Sequence, residues 1–189
     1  MNKKTKTLLG ILLFIAFIAI AWFAYQGLSA KYKPDAIQIK EQGNTKTEAQ
    51  TKTIAPDFTV EDASGNKVKL SNFAGKPVVV NFWASWCPSC KSELPDFDKI
   101  YKEVKENVVF LMINLPDGKR ETVAKAKQYV AENAYSFPVY FDISQETATA
   151  YNIYSIPTTV FIDREGYIIT GYLGAIDEQT LLKAIELIK

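Results

Sequence analysis

Both cysteines of the chain, Cys87 and Cys90, lie in one short motif, WCPSC at residues 86–90. The motif follows residues 77–83 (PVVVNFW), a short apolar run that is typical of a buried β-strand. It opens a stretch with a helical pattern that continues to about Val104. A cysteine pair between a buried strand and a helix constrains the fold more than any other feature of this sequence, because it predicts an α/β domain with its chemistry at one strand end.

The motif has the properties of a redox-active dithiol. A thiolate at a helix N-terminus is stabilised by free N–H groups and by the helix dipole. Cys-x-x-Cys motifs can lower a thiol pKa from about 8.5 to about 3.5–7.5. Pro88 is tolerated in the first helical turn, where its missing N–H has no intrahelical partner. We predict that Cys87 is exposed at the helix tip and attacks substrate disulfides, and that Cys90, one turn deeper, resolves the mixed disulfide.

Two structural roles for the cysteine pair stay open at this point. One is half of a zinc site that a second chain completes, and the other is a disulfide without redox function. A disulfide that closes so small a loop stabilises a fold little. The strand before the motif and the helix after it favour the redox interpretation.

Composition excludes several other chemistries. The 189 residues include no His, which excludes Ser-His and Cys-His nucleophile pairs, His-ligated zinc and haem held by a protein His. Residues 1–40 carry six Lys and one Asp, a charge of +5, which leaves −4 on residues 41–189 of a chain whose net charge is +1. A slightly acidic body argues against nucleic-acid binding. We therefore predict no metal and no cofactor beyond the Cys87–Cys90 disulfide.

The N-terminus has the pattern of a membrane anchor. Lys3, Lys4 and Lys6 precede residues 7–30, which are uncharged. A helix of that length spans about 36 Å, and the hydrocarbon core of a bilayer needs about 20 residues. We predict that residues 1–6 are cytoplasmic, that residues 7–30 form one transmembrane helix, and that the rest lies outside. A cleaved secretory signal and a buried core helix are the alternatives.

The remaining chain divides into a linker and one domain. Residues 31–53 form the predicted flexible linker, because residues 40–53 contain no aromatic or large aliphatic side chain. Residues 54–189 alternate strand and helix patterns, and the predicted final hairpin is antiparallel. Strands separated by helices imply parallel crossovers, and the antiparallel final hairpin makes the predicted sheet mixed, with helices on both faces. The predicted strands are 58–60, 68–70, 77–83, 107–114, 139–141, 158–162 and 167–171; the predicted helices after the motif helix are 120–134, 146–151 and 178–188.

Residues 81–95 (NFWASWCPSCKSELP) resemble the active-site segment of thioredoxin-like proteins. With the N-terminal anchor, the chain most resembles the membrane-anchored extracytoplasmic reductases of the TlpA/ResA type. Residues 155–159 (SIPTT) match the cis-proline loop of that family. The resemblance implies a thioredoxin-like α/β fold with an N-terminal hairpin extension and a helix–strand insertion at residues 120–141, preceded by one transmembrane helix.

The resemblance also implies roles for individual residues. Glu93 occupies the place of a carboxylate that tunes the cysteine pKa values and relays protons; the alternative is a solvated helix residue. Trp86 is expected to shield Cys87 and line the substrate surface. The Ile156–Pro157 peptide is expected to be cis and to bind an extended client segment, and Pro88 to contact clients as well. Pro88-Ser89 differs from the pairs typical of this family, which affects the redox potential, and Asn81 replaces the buried Asp of thioredoxin.

The implied function is that of an extracytoplasmic thiol-disulfide oxidoreductase that reduces client disulfides, with cytochrome c maturation among the roles of the family. Its expected partners are disulfide-containing clients and a membrane thiol electron donor, and the chain is expected to be a monomer. A disulfide-forming oxidase is the main alternative, followed by a peroxiredoxin-type peroxidase and a redox-inert binding module.

Two polar segments receive simpler interpretations. Residues 115–118 (LPDG) follow a predicted strand, at an edge where α/β sheets often place sites, and we interpret them as a turn. The Lys-rich residues 119–128 are interpreted as a solvated face.

Overall fold

The computed structural model describes residues 53–189, together with Ile18 and Trp22 as two exposed helical positions. Within these residues, no helix combines the length and the apolar character needed to cross a bilayer. Apart from Ile18 and Trp22, the predicted anchor at residues 7–30 lies outside the described part, as does the predicted linker except for Thr53.

Residues 53–189 fold around one eight-stranded mixed sheet in the order β1-β8-β7-β4-β5-β6-β2-β3. Strands β4, β5 and β6 are parallel to one another, whereas β1, β2, β3, β7 and β8 enter antiparallel pairs. The strands are β1 (Thr53–Ile54), β2 (Thr59–Glu61), β3 (Lys67–Lys69), β4 (Val78–Trp83), β5 (Val109–Asn114), β6 (Val139–Phe141), β7 (Thr158–Ile162) and β8 (Tyr167–Leu173).

Four α-helices accompany the sheet in the described residues. They are α1 (Pro88–Val104), α2 (Val123–Glu132), α3 (Glu146–Ala150) and α4 (Glu178–Ile188), and a short 3-10 helix covers Leu70–Phe73. The predicted helix at residues 120–134 is shorter than expected. It begins after Thr122, whose side chain accepts a hydrogen bond from the Lys125 N–H and so caps the first turn.

The alternating side chains of β4 separate two hydrophobic cores. Val78, Val80 and Phe82 belong to the core beneath the hairpin β2–β3 and α3. Val79 and Trp83 belong to the other core, into which α1, α2 and α4 pack their apolar faces. Asn81 lies between Val79 and Trp83 and therefore faces α1, because side chains alternate along a strand. The predicted mixed sheet with helices on both faces is confirmed.

The strand β7 departs from the predicted pattern. A helix between two strands predicts a parallel crossover, yet β7 runs antiparallel to β4, with Thr158 opposite Phe82. The five residues of α3 span only about 7.5 Å. The chain therefore enters β7 at the carboxyl edge of the parallel strands instead of returning to their start, and this places residues 155–157 beside the cysteine motif.

Candidate active site

The cysteine pair lies where β4 ends and α1 begins. Cys87 is the N-cap of α1, with φ −83° and ψ 115°, and Pro88 follows in the first turn. The backbone N–H of Cys90 donates a hydrogen bond to the Sγ of Cys87 at 3.1 Å. Cys87 and Cys90 form a disulfide with their Cα atoms 5.2 Å apart. The local geometry is therefore that of a sulfur capping a helix N-terminus, where negative charge is stabilised.

The expectation that Cys87 is exposed is wrong for the disulfide form. Cys87 is 4% exposed and Cys90 is fully buried. The sulfurs belong to the core beneath α1, and Trp86 and Ile156 pack against the same core. Because Trp86 and Ile156 both pack there, Cys87 at the tip of the helix is mostly covered, although the sequence predicts that it is exposed. Cys87 remains the more accessible of the two cysteines.

The loop before β7 closes the other side of the disulfide. The Ile156–Pro157 peptide bond is cis, as predicted. The carbonyl oxygen of Ile156 lies 3.7 Å from the Sγ of Cys87. Pro157 is held from behind, because its carbonyl accepts a hydrogen bond from the Gly174 N–H at 2.8 Å. The structure thus brings together Trp86, Cys87 and the proline loop, as the sequence predicted.

Glu93 lies on α1, three residues after Cys90, and its side chain is buried. Its carboxyl group accepts hydrogen bonds from the Asn81 side-chain amide at 2.8 Å and from the Ile176 backbone N–H at 3.0 Å. The residue is only 1% exposed, so the alternative of a solvated helix position is wrong. Burial raises the pKa of Glu93 to about 7, against the opposing effect of the hydrogen bonds from Ile176 and Asn81.

Asn81 connects Glu93 to the strand that follows the proline loop. Its amide nitrogen also donates to the hydroxyl of Thr159 at 3.0 Å, two residues after Pro157. The sequence indicated only that Asn81 cannot carry a proton as the Asp of thioredoxin does. The contact with Glu93 was missed, because an Asn in an apolar strand shows that a polar partner exists without showing which one.

A second buried carboxylate escaped the sequence interpretation. Glu121 is fully buried, and its carboxylate accepts hydrogen bonds from the Ser85 N–H at 3.0 Å, the Ser85 hydroxyl at 2.7 Å and the Asn114 amide at 3.1 Å. The interpretation of residues 119–128 as a solvated face is therefore wrong at Glu121. The missed signal was Asn114, a polar residue at the carboxyl end of a buried strand.

Residues 115–118 begin next to the end of β4, because the Leu115 N–H donates a hydrogen bond to the Trp83 carbonyl at 3.1 Å. The hydrogen-bonded turn lies slightly later than predicted, because the N–H groups of Asp117 and Gly118, the latter at φ 73°, donate to the Glu121 carbonyl. The next residues place the guanidinium carbon of Arg120 3.3 Å from the centre of the Trp86 ring.

Pro88 is exposed at the start of α1. Among the described residues, no cluster of His, Cys, Asp or Glu has the arrangement of a metal site.

Known proteins share both the sequence and the fold of this chain. The AhpC/TSA family matches residues 51–170. Thiol-disulfide oxidoreductase ResA of Bacillus cereus (strain ATCC 10987 / NRS 248) is 31% identical over 188 residues, which are 99% of this chain and 97% of that protein. ResA of Bacillus subtilis (strain 168) is 33% identical over 136 residues, which are 71% of this chain and 74% of that protein.

A solved structure shows the same architecture. The pneumococcal exposed lipoprotein thioredoxin Etrx1, from Streptococcus pneumoniae strain TIGR4, superposes with a TM-score of 0.62 at 34% sequence identity. The alignment covers 69% of this chain and 98% of that one. The described domain therefore has the thioredoxin-like fold that the motif predicted.

The pKa of Glu93 makes the stability of the disulfide form depend on pH. The folded pKa of about 7 exceeds the ordinary value of 4.5, so the folded state binds more protons between these values. The contribution of Glu93 to stability is fully present below pH 4.5 and is lost as the pH rises to about 7. In urea unfolding, the stability difference between the wild type and Glu93→Gln should shift by on the order of 3 kcal/mol over that range.

The matched control is Glu103→Gln, which changes an exposed carboxylate on the same helix. Its stability should follow the pH profile of the wild type. Parallel profiles for the wild type and Glu93→Gln would contradict the raised pKa, because they would show that the Glu93 carboxyl titrates in the folded protein as it does in the unfolded chain.

Proposed function

The chain belongs to the ResA-type thiol-disulfide oxidoreductases within the AhpC/TSA family, and we propose that it reduces the disulfides of client proteins outside the cytoplasmic membrane. The observation that carries this proposal is the Cys87–Cys90 disulfide, in which the capping sulfur lies 3.1 Å from the Cys90 N–H and 3.7 Å from the Ile156 carbonyl. The first contact stabilises a Cys87 thiolate, and the second places that sulfur beside the loop proposed to bind the client.

The reaction is two successive thiol–disulfide exchanges. The Cys87 thiolate attacks one sulfur of the client disulfide, which forms a mixed disulfide and releases the other client sulfur as a thiolate. Cys90, after losing its proton, attacks the Sγ of Cys87, re-forms the Cys87–Cys90 disulfide and releases the second client sulfur. Two electrons and two protons have then passed from the dithiol to the client. A dithiol protein must return the same two electrons before the next turnover.

Glu93 is proposed to handle the proton of this exchange. Its pKa of about 7 lets the carboxyl gain or lose a proton near neutral pH. Glu93 follows Cys90 by three residues on α1, so both side chains lie on the same helical face. Because Asn81 and Ile176 fix both carboxyl oxygens, the group stays in one position while its charge changes.

The balance of charges near the cysteines supports the proposed reducing direction. A strong oxidant needs a heavily stabilised thiolate, as in DsbA with a potential of about −120 mV. Here the ionised Glu93 disfavours a nearby thiolate, and the sequence contains no His to favour one. Disulfide formation in clients remains the second candidate, because the hydrogen bond from the Cys90 N–H to Cys87 favours the thiolate.

The proposed location is the outer face of the membrane. Lys3, Lys4 and Lys6 before the uncharged residues 7–30 favour a cytoplasmic N-terminus and an uncleaved anchor. The similarity to B. cereus ResA extends over 99% of the chain, and the pneumococcal relative is an exposed lipoprotein. The electron donor is then proposed to be a thiol protein of the membrane, and the substrates to be exported proteins with disulfides.

Single-cysteine variants test the assignment of the two sulfurs. Cys90→Ala should accumulate mixed disulfides with clients through Cys87, because the attacking sulfur remains and the resolving one is gone. Cys87→Ala should accumulate few, because Cys90 is fully buried. Non-reducing electrophoresis of cells that express each full-length variant measures this. Mixed disulfides confined to Cys87→Ala would reverse the assignment.

The equilibrium potential of the Cys87–Cys90 couple tests the direction. We expect a value nearer the −270 mV of thioredoxin than about −120 mV, measured against glutathione or dithiothreitol buffers. The same protein should accelerate insulin reduction by dithiothreitol without consuming peroxide. A potential above about −170 mV would assign the chain to disulfide formation instead.

A further inference from the structure

We propose that Arg120 is a client-docking residue, which selects clients that carry a carboxylate next to the disulfide to be reduced. The inference rests on the proposed function and adds a substrate preference to it. It is carried by a guanidinium group that the fold holds over the residue preceding Cys87, and that has no ionic partner in the described part of the chain.

The guanidinium group of Arg120 lies over the ring of the active-site tryptophan. Its guanidinium carbon is 3.3 Å from the centre of the Trp86 ring, and Trp86 immediately precedes Cys87. A guanidinium stacked on an aromatic face gains cation–π attraction and keeps its N–H groups pointing outward around the edge of the plane. This arrangement places a positive charge at the rim of the site, one residue from the attacking sulfur.

The loop that carries Arg120 is fixed to the active site. The buried carboxylate of Glu121, the next residue, accepts hydrogen bonds from the backbone and hydroxyl of Ser85, which directly precedes Trp86. The backbone N–H groups of Asp117 and Gly118 donate to the Glu121 carbonyl at 3.1 and 3.0 Å. Arg120 is therefore held at a defined place relative to Trp86 by its neighbour in sequence.

The carboxylates nearest in sequence are engaged elsewhere. Both oxygens of Glu121 are used by Ser85 and Asn114, and the residue is fully buried. Oδ1 of Asp117 accepts the backbone N–H groups of Lys119 and Glu121 and so closes the turn. The Lys125 ammonium binds the Arg120 carbonyl at 3.0 Å, which adds a cation to this loop and provides no anion.

An exposed guanidinium with no anionic partner matches a carboxylate. Arg presents five N–H donors in a planar fork, and a carboxylate accepts two of them in parallel. Arg120 is exposed, so these donors are open to a bound client. Residues 41–189 carry a net charge of −4, so the cation that Arg120 places over Trp86 contrasts with the charge of the domain and favours acidic client segments there.

The chain offers a matched control for the charge. Its two arginines are Arg120 and Arg164. Arg164 lies in the turn between β7 and β8, next to the end of β7 where Ile162 pairs with Val78 at the start of β4. Cys87 follows the opposite end of β4. Arg164→Gln therefore removes the same charge from the far end of the sheet.

The experiment compares two synthetic peptides, each with one intramolecular disulfide, that differ only in Glu or Gln immediately before the first cysteine. The full-length chain reduces each peptide with dithiothreitol as the electron source, and kcat and KM are measured at low ionic strength. The wild type and Arg164→Gln should prefer the Glu peptide by about fivefold in kcat/KM, mainly through KM. Arg120→Gln should lose this preference, and Arg120→Glu should reverse it in favour of the Gln peptide, because like charges repel.

The other outcomes separate a failure of the docking role from a failure of the proposed function. Arg120→Gln could lose activity equally toward both peptides and keep the preference for Glu. This result would show that Arg120 only positions Trp86, and it would overturn the docking role. No preference in the wild type would overturn it as well. If the wild type reduces neither peptide, the proposed function fails, and the inference fails with it.

Discussion

The site depends on the hydrogen bonds that the buried carboxyl group of Glu93 accepts. This carboxyl group joins the centre of β4 through Asn81 to the segment before α4 through the Ile176 N–H, and Asn81 continues to Thr159 on β7. Three elements around the cysteines are thus tied to one ionisable group on α1. Because that group is buried, its charge is costly, and its pKa of about 7 places the change of charge near neutral pH.

The cysteines are framed by two loops that reach the carboxyl edge of the parallel strands. The cis-proline loop contacts the Sγ of Cys87 through the Ile156 carbonyl, and the loop after β5 supports Trp86 through Arg120 and Ser85 through Glu121. Cys87 lies between them and is only 4% exposed. Because so little of this residue can be reached, we expect a client to present its disulfide on an extended segment that fits between the loops.

The sequence predicted those features that depend on local pattern. The apolar run of β4, the motif at its end and the periodicity of α4 are local signals, and the structure confirms each of these elements. The sequence did not predict the burial of Cys87, the Asn81–Glu93 hydrogen bond or the position of Glu121. These features depend on which side chains meet in the folded protein. The Lys-rich pattern of residues 119–128 does not indicate that its one carboxylate, Glu121, is buried.

The pH dependence of cysteine alkylation in the reduced protein tests most directly whether Glu93 controls the dithiol. An ionised carboxylate on the helical face that carries Cys90 disfavours a thiolate there, so the cysteines of Glu93→Gln should react with iodoacetamide at lower pH than those of the wild type. Glu103→Gln, exposed on the same helix, should follow the wild type. Coincident alkylation profiles for the wild type and Glu93→Gln would contradict the account, because they would show that the buried carboxyl does not influence the cysteine pKa values.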